Sequence, residues 1–408
     1  MKVISTASQE WQRLCARQLV RRRQIEERVR TIVDDVHQGG DEALLRYTRR
    51  FDKVRLTPKQ LRVTEAETSG AFQHLDPKFA LQLKHAIQNV QTFYGRPRVK
   101  PVRMLDGDGV ILSEKFDPIE RVGIYIPGGT ASLVSTVYMT AIPAKKAGVK
   151  RIILATPPQH DGSVDPQILA VASLLEVDEV YKMGGAQAIA AMAFGTKTVP
   201  KVDKIIGPGN AYVAEAKRQV FGFVDVDTIA GPSEVAVIAN RYSNAQYVIA
   251  DLLGESEHAG GIAFLITTSK ALAKLARKQV PGGYCMVVKN LDEAAEVANR
   301  LAPEHLEIMV RSPQKLARKI TSAGAIFLGQ YSPVTVGDYV AGPSHVLPTG
   351  GAARMFSGLG VDDFIRRTHV ISYTKKALER MREPLERLTA IEGLPKHYEA
   401  VKIRLSSA

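Results

Sequence analysis

Four times between residues 120 and 220, a short β-rich run ends in a glycine- or proline-rich turn. Val122–Ile126 leads into Pro127-Gly128-Gly129, and Arg151–Ala155 into Thr156-Pro157-Pro158. Glu179–Met183 leads into Gly184-Gly185 and a small-residue helix, Ala186–Phe194. Lys204–Ile206 leads into Gly207-Pro208-Gly209-Asn210 and the helix Ala211–Val220. A strand followed by a helix before the next strand joins its neighbour in parallel, so these units predict an open α/β sheet. Ligands of such sheets sit at the carboxyl ends of the strands, where these turns fall. Backbone N–H groups at the helix starts favour anions there. None of the turns has the Gly-x-Gly-x-x-Gly spacing, so spacing alone leaves a nucleotide site and an ordinary tight turn both open.

A second α/β stretch follows: Glu234–Ala239, Ile262–Thr267, Met286–Val288, Leu306–Val310 and Ala325–Leu328. Before both, residues 8–48 carry Trp11, Leu14, Leu19, Ile25, Val29, Ile32, Val33 and Val36 at helical spacing. Gly39-Gly40 breaks that pattern, and Asp41 is expected to cap a helix over Glu42–Arg50. Residues 77–94 predict a further helix, and the tail from about 372 reads as helical and charged. The expected architecture is α/β, two Rossmann-like open-sheet domains with smaller helical N- and C-terminal segments. The expected division is 1–21 as N-terminal helical segment, 22–124 with 235–360 as one α/β domain, 125–234 as the other, and 361–408 as C-terminal segment. No low-complexity linker separates the two α/β parts, which points to a cleft between them.

With 408 residues, 45% of them hydrophobic, the chain exceeds what one ordinary core holds. No run approaches the ~18 apolar residues of a membrane span, and Met1–Ser5 lacks the opening of a secretory signal. Two distant cysteines, Cys15 and Cys285, argue against a disulfide framework and for a reducing cytoplasm. The net charge of +13 gathers at the ends: Arg21-Arg22-Arg23 and Arg49-Arg50, then Lys375-Lys376, Arg380, Arg382, Arg387, Lys402 and Arg404. No aromatic residues interleave with these bases as a stacking platform, and solvated helix faces account for them. Neither a nucleic-acid nor a membrane partner is expected.

Chemistry-bearing residues concentrate in the second half. Glu255-Ser256-Glu257-His258 ends a predicted helix, which sets Glu255 and His258 on one face at i, i+3. Gly337-Asp338-Tyr339 lies in a predicted turn, and Glu392 to His397 breaks the C-terminal helix. Glu255, His258, Asp338 and His397 offer two carboxylates and two imidazoles, a donor set that suits zinc if folding gathers it. Scattered acids and histidines occur in any chain this long, so the residues alone leave the point open. Ala302-Pro303-Glu304-His305 sets a carboxylate beside an imidazole in a predicted loop before a strand. The pair suits proton transfer near neutral pH, or is an ordinary solvated loop pair.

Taken in order, these segments resemble the histidinol dehydrogenase family. The blocks are Glu120–Gly129, Gly184–Ala191, Gly207–Asn210, Ala230–Glu234, Glu257-His258, Ala302–His305, Gly337–Tyr339, His345–Thr349 and Glu392–Leu394. The resemblance implies oxidation of L-histidinol to L-histidine through a bound aldehyde, with two NAD and one zinc ion per subunit, in the last steps of histidine biosynthesis. It implies that Tyr125, Gln187 and Asn210 contact NAD and that Glu304 and His305 are the acid/base pair. It implies that Glu255, His258, Asp338 and His397 ligate zinc. Ser233, Glu255, His258, His305, Asp338, Glu392 and His397 would meet the substrate. It further implies a homodimer in which each C-terminal segment completes the partner's site. One departure stands out: the family has Gln where this chain has Glu255, adding a negative charge beside Asp338. Two alternatives remain at this level, a dehydrogenase of another small alcohol and a non-catalytic metal- or nucleotide-binding homologue.

Overall fold

The computed structural model describes residues 1–16, 23–71, 73, 75–95, 102–128, 132–229, 231–258 and 260–406; Leu19, Arg21, Arg22, Gly129 and Ala230 of the patterns above lie outside the described residues. The chain divides into two compact units, Met1–Arg96 with Ile119–Phe364 and Pro97–Pro118 with Ile365–Ala408. In chain order the strands are β1 (Lys2–Val3), β2 (Arg103–Leu105), β3 (Ile111–Pro118), β4 (Arg121–Tyr125), β5 (Arg151–Thr156), β6 (Glu179–Lys182) and β7 (Lys204–Ile206). They continue as β8 (Asp225–Val226), β9 (Glu234–Ala239), β10 (Ile262–Thr267), β11 (Tyr284–Val287), β12 (His305–Met309), β13 (Ala325–Leu328) and β14 (Ile365–Ser372).

The first unit holds two parallel sheets, ordered β6-β5-β4-β7-β8 and β1-β11-β10-β9-β12-β13. The five-stranded sheet is wound outward from β4 and the six-stranded sheet, apart from the edge strand β1, from β9, so the order reverses between β4 and β7 and again between β9 and β12. Such reversals open a crevice at the sheet edge. The α/β expectation therefore holds. The central strands are buried along almost their whole length because Val, Ile, Leu and Ala run through them without alternation, as a sheet covered on both faces requires.

Helices supply the covers. Pro77–Tyr94, Val134–Ala147 and Pro166–Leu174 pack on one face of the five-stranded sheet. Gly185–Phe194, Ala211–Val220 and the long helix Arg23–Phe51 pack on the other. The long helix buries Val29, Ile32, Val33 and Val36, and bends where Gly40 leaves the helical region. Asp41 does not cap the segment that follows: its carboxylate accepts from the Thr198 amide at 3.2 Å and from the hydroxyls of Thr196 and Thr198, pinning the loop at 196–198. Around the six-stranded sheet, Trp11 of the helix Gln9–Cys15 packs with Leu291–Leu301, and the helices Ala245–Gly254 and Lys270–Gln279 cover the opposite face.

The second unit is a small antiparallel sheet, β14-β3-β2, with the helices Lys375–Arg380, Arg382–Ile391 and Pro395–Ser406. The helical tail was legible in the sequence; the sheet was not. Charged residues such as Glu114, Lys115, Arg366, Arg367 and His369 interrupt the apolar pattern by which a strand announces itself. No helix among the described residues is long and apolar enough to cross a membrane.

Trp11 is fully buried in the core of the six-stranded sheet, with the Arg300 guanidinium 5.5 Å from its ring. Replacing it with Ala is expected to lower unfolding stability by about 3–5 kcal/mol. Chemical denaturation checks this, and a loss below about 1 kcal/mol would detach the N-terminal segment from the core.

Candidate active site

Two sites lie at the two reversals, on opposite edges of their sheets. At the carboxyl ends of β4 to β7 a cavity of about 1360 Å³ is lined by Asp52, Tyr125, Pro157, Gln187 and Asn210, among others. The turn after β7 makes it possible. Gly207 has φ +113°, and a Cβ there would lie 2.1 Å from the Tyr125 carbonyl oxygen, so only glycine fits. A buried ion pair holds the same turn. Lys217 Nζ donates to the Gly207 carbonyl at 2.5 Å and to Asp227 Oδ1 at 2.6 Å, while the Gly207 amide donates to Asp227 Oδ2 at 2.8 Å. Both side chains are nearly sealed from solvent, at 3% and 4% exposure. Neither Lys217 nor Asp227 stood out in the sequence, because only the fold brings them under the turn.

The three residues expected at a nucleotide meet in this cavity. The Tyr125 hydroxyl accepts from the Gly185 amide at 2.9 Å, and burial, with Asp52 adding its charge, pushes the phenol up to about 12. Tyr125 thus stays protonated and can still donate. Gln187 is buried with neither carboxamide atom hydrogen-bonded among the described residues. A buried amide without partners has a cost that a ligand can relieve. Asn210 caps Ala211–Val220, its Oδ1 accepting from Tyr212 and Val213, which leaves Nδ2 for a ligand. Asp52 is an acid the sequence reading missed; burial pushes it up to about 6.

The second site lies at the amino ends of β9 and β12. Glu304 and His305 are buried, so the expectation of a solvated loop fails and the acid/base alternative gains. The helix Leu291–Leu301 ends at Ala302 in the left-handed region, and Pro303 turns the chain directly into β12. Glu304 Oε2 accepts from the Glu234 amide at 3.0 Å, and the Glu304 amide donates back to Glu234 Oε1 at 3.3 Å. His305 Nδ1 faces the Glu234 carbonyl oxygen at 3.3 Å and Glu304 Oε2 at 3.7 Å. Since that carbonyl only accepts, the proton of the neutral ring belongs on Nδ1, which assigns the lone pair to Nε2. Nε2 is buried, 3.5 Å from Asp338 Oδ1.

The surrounding segments converge because helices return the chain to this edge. Glu255–Glu257 form a 3-10 turn after Ala245–Gly254, with the His258 amide closing it on the Glu255 carbonyl. Glu255 is buried while His258 is exposed. Asp338 is not in a turn as expected but near the end of a short helix, Val334–Tyr339. Gly337 lets that helix settle onto Phe327, whose ring a Cβ would meet at 2.6 Å. The Phe327 ring lies in turn 6.0 Å from the His305 imidazole. His345 Nδ1 meets the Asp338 carbonyl at 2.8 Å and Thr349 Oγ1 accepts from the Gly231 amide, so the 345–349 block braces both sides of the site.

Electrostatics follow from this crowding. Burial pushes Glu304 up to about 7, against the opposing effects of His305 and the Ser233 hydroxyl. Burial likewise pushes Glu255 up to about 7; Ser233 opposes it, Glu304 and Asp338 add to it. Burial would lower His305, but Asp338, Glu304 and Glu255 together outweigh it and raise the imidazole. His345 is depressed by burial and stays neutral. Ser233, Glu255, His258, Glu304, His305 and Asp338 thus share one neighbourhood. Glu392 and His397 belong to the second unit, both exposed, Glu392 at the C-terminal cap of Arg382–Ile391 and His397 in the first turn of Pro395–Ser406. Among the described residues no three His, Cys, Asp or Glu side chains are gathered closely enough to hold a metal ion.

Comparison with known proteins gives this geometry a context. Residues 15–405 match the family model described as histidinol dehydrogenase. The chain is 45% identical over 399 residues to the histidinol dehydrogenase of Bacillus cereus, covering 93% of this chain and 92% of that protein. It is 44% identical over 400 residues to that of Listeria monocytogenes, covering 93% of each. The crystal structure of histidinol dehydrogenase from Elizabethkingia anophelis superimposes with a TM-score of 0.92 at 36% identity, covering 100% of this chain and 98% of that one.

Asp52 supplies a test of the cavity's interior. Its folded pKa of about 6 exceeds the ordinary 3.8, so its contribution to stability is present below the ordinary value and is lost as pH rises through about 6. Asp52→Asn is therefore expected to be more stable than the native chain at pH 8, by about 1–2 kcal/mol after allowance for partial exposure. The gap should close near pH 4. Denaturation at both pH values checks this, and a pH-independent difference would mean the carboxyl is solvated.

Proposed function

Because the chain belongs to the histidinol dehydrogenase family, we propose that it oxidises L-histidinol to L-histidine in two NAD-linked steps through an aldehyde that stays bound. The observation that carries the proposal is the Glu304–His305 pair, buried together at the amino end of β12, with the carboxyl pushed up to about 7 and the imidazole raised by the acids beside it. A non-catalytic homologue would have no use for this expensive arrangement.

Zinc fits the donor types here. Glu255 Oε1 is a buried carboxylate oxygen without a donor among the described residues, His258 follows on the same turn, and the charge of Asp338 acts on Glu255. These three would hold the ion, with His397 brought by a second copy of the chain. Exposure of Glu392 and His397, together with the uncovered apolar residues Met104, Leu105, Ile371 and Ile391 of the same unit, supports that dimer. The cavity beside β4 and β7 would take NAD, with the unpartnered Gln187 carboxamide, the Tyr125 hydroxyl and Asn210 Nδ2 as its hydrogen-bonding groups. When bound, zinc would grip the substrate's nitrogen donors and NAD would accept hydride.

The chain's own residues supply the proton chemistry. His305 Nε2 takes the carbinol proton as the carbinol carbon is oxidised to the aldehyde, with Asp338 stabilising the imidazolium that results. Glu304, near neutrality, takes a proton from the water that adds to the aldehyde carbon. Loss of a second hydride and proton from that hydrate leaves the carboxylic acid. Ser233, placed between Glu255 and Glu304, and Glu392 from the second copy would orient the substrate. Burial of the pair keeps bulk water from the aldehyde. Cys15 and Cys285 form no disulfide among the described residues, which suits a biosynthetic enzyme of a reducing cytoplasm.

Purified protein is expected to yield two NADH per L-histidinol, to lose this activity on chelation and to regain it with zinc. A yield of one, or indifference to chelation, would sink the two-step zinc-dependent reading. Glu255→Gln removes the charge by which this chain departs from its family. It is expected to shift zinc affinity by roughly 10-fold, the scale of a ligand-sphere change. If neither zinc affinity nor turnover moves, Glu255 is not a ligand.

A further inference from the structure

Three acids line the cavity at the carboxyl ends of β4 to β7, and two of them already have donors. Asp161 Oδ1 accepts from the Ser163 amide at 2.9 Å and from the Ser163 hydroxyl at 2.6 Å. Asp165 caps Pro166–Leu174, its Oδ1 accepting from the Gln167 amide at 2.8 Å and its Oδ2 from the Ser132 hydroxyl. The third acid is Asp52. Its Oδ2 is buried without a donor, and no hydrogen bond or ion pair reaches the carboxyl among the described residues. Asp52 follows the last residue of Arg23–Phe51, where Lys53 takes φ +62° and the chain leaves the helix. A Cβ on Gly184 would stand 3.3 Å from Asp52 Oδ1 and 2.6 Å from the Pro157 ring, so the carboxyl sits over the turns that follow β5 and β6.

We propose that Asp52 selects the dinucleotide: its carboxylate accepts from the vicinal hydroxyls of the adenosine ribose and excludes a 2′-phosphate there. The strand order β6-β5-β4-β7-β8 decides which half of the dinucleotide meets it. In a sheet of this order the pyrophosphate crosses at the reversal, and the adenosine half lies over the strands wound out from the first, here β5 and β6. The acid that meets the ribose in such sheets comes from the end of the second strand. Here β5 ends in Thr156-Pro157-Pro158, and Asp161 beyond it is engaged in its own turn. Asp52 reaches the same place from the end of the long helix. A buried carboxylate without donors is costly, and the two O–H groups of a ribose relieve that cost with charge-assisted hydrogen bonds. A 2′-phosphate replaces one of those donors with about two negative charges. Asp52 is a specificity residue, and neither hydride nor proton passes through it.

The inference rests on the reading that this cavity takes NAD, so its test measures dinucleotide binding itself, by calorimetry on the full-length protein without substrate. At pH 8 the carboxyl is ionised, above the value of about 6 to which burial pushes it. The native chain is expected to bind NAD at least about 100-fold more tightly than NADP. Asp52→Asn keeps the shape and one acceptor oxygen but removes the charge. It should weaken NAD by less than about 10-fold and tighten NADP by at least about 10-fold. Asp52→Ala removes both acceptors and should weaken NAD by about 10- to 100-fold. Nicotinamide hypoxanthine dinucleotide lacks the adenine amino group but keeps the ribose, and should bind the native chain within about 3-fold of NAD.

Variants that keep the native preference for NAD would overturn the selection, as would a native chain that binds NAD and NADP alike. A hypoxanthine dinucleotide that binds the native chain as weakly as NAD binds Asp52→Ala would move the contact from the ribose to the base and refute the proposal. A native chain that binds neither NAD nor NADP would sink the nucleotide reading of the cavity, and the inference with it.

Discussion

The reciprocal link between Glu234 and Glu304 is the contact on which the acid/base site depends. β9 and β12 are neighbours at the reversal of the six-stranded sheet; Glu234 opens β9, and Glu304 immediately precedes β12. Each of these two glutamates accepts the other's amide, at 3.0 and 3.3 Å, and Glu234 Oε1 also accepts from the Gly350 amide at 3.2 Å. Buried backbone donors must be satisfied, and satisfying them with carboxylates draws negative charge into the protein. Burial pushes Glu304 and Glu255 up to about 7, and burial would lower His305 but is outweighed by Asp338, Glu304 and Glu255, which raise its imidazole.

Support for the cluster comes from groups that do no chemistry. His345 is held neutral by burial and spends Nδ1 on the carbonyl of Asp338, so it fixes the backbone beside the carboxylate without competing for protons. Phe327 lies between the Val334–Tyr339 helix and the His305 ring, and Gly337 allows the approach. Such groups cost stability individually only if mispacked, yet they determine whether reacting side chains sit within a fraction of an ångström of a useful geometry. In the cavity the Lys217–Asp227 pair has the same part. Its charges are matched and hydrogen-bonded to Gly207 on both sides, which lets a buried ion pair serve as a rigid prop for the turn.

Much of the fold was legible because parallel strands buried on both faces are written as unbroken apolar runs. Lys204–Ile206, Glu234–Ala239, Ile262–Thr267 and Ala325–Leu328 are the strands the residues themselves predict. The exposed β3 and β14 were illegible for the opposite reason, since charges on both faces erase the period. Asp41 satisfied the local rule for a cap and was diverted by a loop 155 residues away, which no local pattern encodes. For the site, motif order was informative where bare spacing was not. Glu304-His305 read as a solvated pair because burial comes from β9 and β13, elements distant in sequence. Lys217 and Asp227 have no local signature at all and matter through each other once folding pairs them, while Asp52 matters through its burial.

The two sheets share one winding order, yet their sites lie on opposite edges, and the reason is where each edge finds N–H donors. At the carboxyl edge of the five-stranded sheet, the turns after β6 and β7 open directly into Gly185–Phe194 and Ala211–Val220. The Gly185 amide is taken by the Tyr125 hydroxyl and those of Tyr212 and Val213 by Asn210, and the positive ends of the two helix dipoles face the cavity, suited to an anionic ligand brought from solution. At the amino edge of the six-stranded sheet the donors are the amides of Glu234, which opens β9, and of Glu304, just before β12. Acids of the protein, Glu234 and Glu304, occupy them instead of a ligand. One edge is thus left electropositive and open, the other electronegative and filled. A reaction that passes negative hydride to a cofactor and protons to a base needs both, and a chain with two sheets of the same order can provide them without a change of fold.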